Sequence, residues 1–182
     1  MDPIRAHWIA PLLPHPTVPA APLSVSIEAT VTCFVTGAIE CRYDLSGTLD
    51  QCVMPSHSRT QRADELWRHT CFEAFVGRPG ELGYHEFNWS PSGAYAAYAF
   101  SDYRVRAEDI DAGVPLITSE VSESQATVIV RLRSGTWPAG PLELGLSAVI
   151  EAVGGGLHYF AVHHPLKRPD FHDRRGFLLR IA

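Results

Sequence analysis

Between residues 23 and 34 the chain alternates without a break. Leu23, Val25, Ile27, Ala29, Val31 and Cys33 are separated by Ser24, Ser26, Glu28, Thr30 and Thr32. A period of two sends the first set to one face of a β-strand and the second to the other, so one face is buried and one is polar. After Thr36-Gly37 the pattern returns at 38–47, where Ile39, Cys41 and Tyr43 oppose Glu40, Arg42 and Asp44, and the two runs form an opening antiparallel pair. Further strand-like runs lie at 71–76, 83–89, 94–100, 126–132, 142–152 and 157–162, with a last one at 177–181. The pair 142–152 and 157–162 is joined through Gly154-Gly155-Gly156, a turn in which positive φ carries no steric cost.

Only one short helical turn is expected, at 61–66, after an irregular loop containing Pro55-Ser56-His57. A polar connector with Glu108, Asp109 and Asp111 follows the third strand of the central group. About nine short strands, regular turn signals and at most one or two short helices predict an all-β fold, an antiparallel β-sandwich. Neither a βαβ rhythm, a nucleotide-binding glycine fingerprint nor an internal repeat competes with it.

Residues 1–22 depart from this rhythm. Pro3, Pro11, Pro14, Pro16, Pro19 and Pro22 are too many for a helix or a central strand, so the segment is expected to be an extended arm laid over the fold and anchored by Trp8, Ile9, Leu12 and Leu13. Residues 23–182 are expected to form one domain, since 182 residues suffice for one core without disulfide staples.

Composition narrows the function. A formal charge of −5 argues against a nucleic-acid-binding face. No apolar run is long enough to cross a membrane, and the prolines interrupt any secretory signal, so a cytoplasmic location is expected. Cys33, Cys41, Cys52 and Cys71 have neither CxxC nor metal-ribbon spacing, and are read as small strand residues rather than metal ligands.

The stretch 66–104 carries the most chemistry. In 71–76, Phe72, Ala74 and Val76 share one face while Cys71, Glu73 and Phe75 share the other. In 84–89, His85, Phe87 and Trp89 oppose Tyr84, Glu86 and Asn88. The hairpin therefore has an apolar face for the core and a second face mixing carboxylates, an amide and aromatic rings. Such a face suits a sugar, because carboxylates and amides bond hydroxyls while rings cover the apolar sugar faces. The alternative is an ordinary solvent-facing side of a sheet. Trp67, just ahead of the hairpin, belongs either to a pocket rim or to the core.

A second candidate is 163–172, where His163, Arg168, Asp170 and His172 crowd a loop fixed by Pro165 and Pro169. Its structural alternative has Asp170 capping the loop or pairing with Arg168. The histidine spacing matches no established metal signature. Catalysis finds no GxSxG or HExxH motif, and Glu73 and Glu86 read as ordinary sheet carboxylates rather than a glycosidase pair, so no enzyme is expected.

The runs LW-RHTCFEAFVG, Y-HEFNWSPSGAYAAYAFSDYR, GLSAVIEA and H-PLKRPDFH together resemble the bacterial DOMON-like domain-containing proteins, related to the family 9 carbohydrate-binding modules. The resemblance covers the chain from about residue 23 onward. It implies an antiparallel β-sandwich that binds a ligand, a carbohydrate or related small polar molecule, and does no catalysis. The sugar-binding branch is similar at Trp67, Glu73, Tyr84, Glu86 and Asn88. A haem-binding branch uses a methionine and a histidine, for which Met54 and His163 or His164 are the residue types present. Haem is thus the alternative ligand. A third reading has the domain docking to a protein partner through a sheet edge or the proline-rich arm.

Overall fold

The computed structural model describes residues 2–17 and 23–182. Its strands are β1 (Ile4–Pro14), β2 (Val25–Phe34), β3 (Ile39–Gly47), β4 (Gln61–Arg62), β5 (Cys71–Gly77), β6 (Tyr84–Trp89), β7 (Ala94–Asp102), β8 (Val105–Arg106), β9 (Leu116–Val121), β10 (Gln125–Leu132), β11 (Leu142–Glu151), β12 (Leu157–Ala161) and β13 (Leu179–Ile181). Helical structure among the described residues is limited to 3-10 turns at Leu49–Gln51, Leu66–Arg68 and Arg174–Gly176.

The strands run in the order β4-β7-β6-β5-β11-β12-β1-β2-β3-β10-β9, with β8 added to β7 and β13 to β11. The sheet curls into two facing layers, as the alternation requires: each layer must hide one apolar face. Ile27, Val31, Tyr43 and Val128 from one layer meet Phe72, Phe87, Trp89 and Leu146 from the other in a single core. Phe72, Ala74, Val76, Phe87 and Trp89 all point inward, as their spacing predicts.

Among the described residues the strand count is thirteen rather than about nine, for three physical reasons. Strands β4 and β8 are two residues each, too short to show a period. Strand β9 is an edge strand in which only Ile117 is buried. Strand β1 was hidden by its prolines. It is no arm over the surface: it pairs with β2 from Ile4 to Leu12, then with β12 at Leu13 and Pro14, and so carries the sheet from one layer to the other. Among the described residues, one edge of β1 carries no ladder from Ile4 to Leu12, the setting in which a missing N–H costs least. Residues 18–22 of the expected arm lie outside the described residues. The expected helical turn at 61–66 is also different. Gln61 and Arg62 pair in parallel with Ala94 and Tyr95, and the turn starts later, after Glu65 in the left-handed region at φ 61°.

Beyond β1 the crossover is tied down by two rings. The buried His15 gives its Nε2–H to the Leu166 carbonyl at 3.1 Å, and His164 bonds the Leu13 carbonyl through Nε2 at 2.8 Å. The layers are also bonded directly, because the buried Tyr43 hydroxyl of β3 donates to the Glu73 carbonyl of β5 at 2.9 Å. Tyr43→Phe keeps the ring and removes that donor. It should lower the unfolding free energy in urea by about 1 kcal/mol with an unchanged slope; no change would mean that the bond contributes nothing to holding the layers together.

Candidate functional site

The outward face of β5, β6 and β7 is organised in cross-strand rows. One row runs Ser147, Glu73, Asn88, Ala96; the next runs Gly145, Phe75, Glu86, Tyr98; and Tyr84 faces Phe100 in the third. All seven residues of β5 are buried, so this face is no ordinary solvent-facing sheet. Its cover comes from residues 169–177. Gly145 lets the Phe177 ring lie on the sheet, since a Cβ there would meet the ring at 3.0 Å, and a Cβ on Gly77 would fall 1.8 Å from the Arg174 guanidinium. Between sheet and cover remains a cavity of about 660 Å³, within the size range of small-ligand sites.

Two carboxyl groups form its base. Glu73 is 2% exposed and Glu86 5%. The Ser147 hydroxyl donates to Glu73 Oε2 at 3.1 Å, and the fully buried Asn88 donates its amide to Glu86 Oε1 at 2.7 Å. Burial pushes the Glu73 carboxyl well above the usual range, the nearby Glu86 charge pushes it further, and the Ser147 bond restores only part. Glu86 is also raised by burial, but Asn88, Arg106 and Arg104 pull it back. Burial thus favours the protonated form of both carboxyls.

The walls are aromatic and basic. Trp67, 38% exposed, sits at the rim with its ring edge-on to Tyr98 at 6.1 Å. The Arg106 guanidinium lies over the Tyr98 ring at 4.0 Å and is held there by Asp109 at 2.8 Å, which also bonds Arg62. Tyr98 completes the wall by donating its hydroxyl to Asp64. Across the cavity stand Tyr159 and Phe171, with ring centres 6.1 Å apart, beside Leu157, Val149 and Pro169.

A chain of hydrogen bonds fixes the end near the β7–β8 turn. Arg104 adopts φ 56° there, and its N–H donates to the Tyr84 oxygen at 3.1 Å. Tyr84 donates in turn to His172 Nδ1 at 2.8 Å, leaving His172 Nε2–H turned towards Glu86 at 3.7 Å. Burial, with Arg104 nearby, lowers the His172 pKa to about 4, so the ring is neutral at ordinary pH. Asp170 bonds the Arg104 guanidinium at 2.9 Å, the His172 N–H and the Tyr103 hydroxyl. Burial alone would raise its pKa; Tyr103 and Arg104 outweigh it and hold the carboxyl below the usual range.

Of the residues singled out in the sequence, Trp67, Glu73, Glu86, Asp170 and His172 line this one cavity. Asn88 lies beneath it and Tyr84 behind it, each positioning a lining group. His163 and Arg168 are exposed and do not line it. His163 borders a separate, much smaller hollow with Gly145 and Ser147, and Asp170 pairs with Arg104 rather than Arg168. An isolated loop residue declares no partner in sequence, and here the partner sits on a hairpin 66 residues away. Tyr98, Phe100, Arg104, Arg106, Tyr159 and Phe171 also line the cavity; period-two spacing from Glu86 through the next strand signals Tyr98 and Phe100, but nothing local signals the arginines. Trp137 is buried in the core against Phe87 and is not a second tryptophan of the cavity. Met54 packs on the core, and neither it nor His163 or His164 lines the cavity. Among the described residues no cluster of three or more His, Cys, Asp or Glu is arranged to hold a metal.

No protein-family model and no curated protein matches the sequence. The fold does have counterparts. A candidate carbohydrate-binding protein from Bacteroides uniformis superposes with TM-score 0.68 at 15% identity, over 94% of this chain and 84% of that one. A family 9 carbohydrate-binding module from Caldicellulosiruptor kristjanssonii, solved with cellotriose, gives TM-score 0.52 at 7% identity over 83% of this chain and 72% of that one. A family 9 module from the same organism with glucose gives 0.50 at 7%, over 78% and 69%. The architecture is thus an antiparallel β-sandwich like that of family 9 modules.

The raised Glu73 pKa has a signed consequence for stability. Its protonated form contributes fully below the ordinary glutamate value of 4.5, and stability is lost as pH rises towards the folded-state pKa. His172, whose pKa is lowered, acts in the opposite sense between about 4 and 6.5 and is silent above that. As pH rises from 4.5, Glu73→Gln should therefore lose less melting temperature than the wild type, since both keep His172. Parallel wild-type and variant curves would show that the fold does not raise the Glu73 carboxyl.

Proposed function

We propose that this domain is a non-catalytic carbohydrate-binding module whose ligand occupies the cavity over β5, β6 and β7. One observation carries the reading: a single cavity of about 660 Å³ joins exposed or half-buried rings, Trp67, Tyr159 and Phe171, to a fixed polar floor of Glu73, Glu86, Asp170 and Arg104. A pyranose presents apolar C–H faces and an equatorial belt of hydroxyls. Rings cover the first, and carboxyl and guanidinium groups bond the second.

The floor is pre-organised. Ser147 and Asn88 hold the two glutamates, while Tyr84 and Asp170 hold His172 and Arg104, so little rotamer freedom remains to be lost on binding. The fold-level neighbours described as carbohydrate-binding point the same way, as does the resemblance to the DOMON-like proteins.

Calorimetric titration against a panel of mono- and disaccharides tests the proposal. At least one sugar should bind, and Trp67→Ala should weaken it about tenfold, the loss of roughly 1.4 kcal/mol of ring contact, with little change in melting temperature. Silence across the whole panel would overturn the reading.

A further inference from the structure

The charges around the cavity do not cancel evenly. Three guanidinium groups line it, and each has its own carboxylate: Arg68 with Glu65 at 2.9 Å, Arg104 with Asp170 at 2.9 Å, and Arg106 with Asp109 at 2.8 Å. Glu73 and Glu86 have no such partner. Among the described residues no lysine or arginine forms an ion pair with either, and the basic group nearest Glu86 is the neutral His172 ring at 3.7 Å.

The base of the cavity is therefore an acid pair, at least nine-tenths buried, with no lysine or arginine in direct contact among the described residues, Arg104 and Arg106 acting on Glu86 only from a distance. Burial of carboxylates without a cation is unfavourable, and an incoming cation offsets that cost most effectively where water is excluded. Each glutamate also has one committed oxygen and one uncommitted one among the described residues: Ser147 takes Glu73 Oε2 and Asn88 takes Glu86 Oε1. An ammonium group offers three N–H donors and a charge, whereas a hydroxyl offers one donor and none. Phe75 and Phe100 line the same cavity, and their ring faces also favour a cation.

We propose that the ligand is an amino sugar, with its ammonium nitrogen seated between Glu73 and Glu86 and its ring between Trp67 and the Tyr159–Phe171 wall. This rests on the cavity being a sugar site and adds the chemistry of one substituent. An N-acetylated sugar loses the charge and adds an acyl group at the most confined point, so it binds less well.

Calorimetry on the full chain at pH 7 with glucosamine, galactosamine and mannosamine, each beside its parent sugar and its N-acetyl derivative, separates the possibilities. At least one amino sugar should bind ten times or more tighter than both of its counterparts. Glu86→Gln should reduce that preference to less than about threefold, and Glu73→Gln, which keeps the Ser147 contact, serves as the second variant if the first melts early. Parent sugars that bind as tightly as their amines, or a preference that survives both substitutions, would overturn this inference and leave the sugar site standing. Binding by none of these sugars would overturn this inference, and the sugar site with it only if the disaccharides of the wider panel are silent too.

Discussion

A strand in the middle of a sheet offers side chains to both sides, and in β5 both sides are taken. Phe72, Ala74 and Val76 fill the interior of the sandwich, while Glu73 and Phe75 lie under the 169–177 cover and Cys71 is buried beside Asn88. Everything distinctive about the site follows from that second burial. It removes water from Glu73 and Glu86, calls for Ser147 and Asn88 to satisfy them, and leaves glycine at positions 77 and 145, where cover and sheet meet most closely. It also couples site to core, since the Glu73 backbone accepts the bond from Tyr43 while its side chain faces the cavity.

Much of this was legible from alternation alone. Period two separated Phe72, Ala74, Val76, Phe87 and Trp89 from Glu73, Glu86 and Asn88, and the structure puts the first set in the core and the second at the cavity base. Alternation reads the faces of a strand, however, and not what covers them. The cover is irregular chain, its residues placed by contacts such as Asp170 with Arg104 and His172 with Tyr84, which link positions 66 and 88 residues apart. That is why His163 and Arg168 looked equivalent to Asp170 and His172 in sequence and are not. Strand β1 failed for another reason: proline frequency is evidence about hydrogen-bond donors, and a strand with one largely open edge needs fewer of them.

The cavity also shows how a charged site is kept rigid. Its arginines are not free arms. Arg106 is flattened on Tyr98 and clamped by Asp109, and Arg104 is held at both backbone and guanidinium. The left-handed backbone of Arg104, which costs a non-glycine residue energy, is stabilised by the Tyr84 contact that also orients His172. Charge is thus fixed around the walls, and the two glutamates are left as the groups whose state a ligand can change.

The route of β1 bears on how the molecule is made. The strand that joins the two layers is synthesised well before its partner β12 and the Leu166 carbonyl that receives His15, the latter 151 residues further along the chain. A nascent chain can assemble β2 with β3, or β5 with β6 and β7, soon after each emerges. It cannot close the junction between the layers until β12 and residue 166 have emerged as well. With contacts of such long sequence separation, closure is a slow step of folding. Until it occurs, the apolar half of β1 and the open edge of β12 remain without each other in the growing polypeptide.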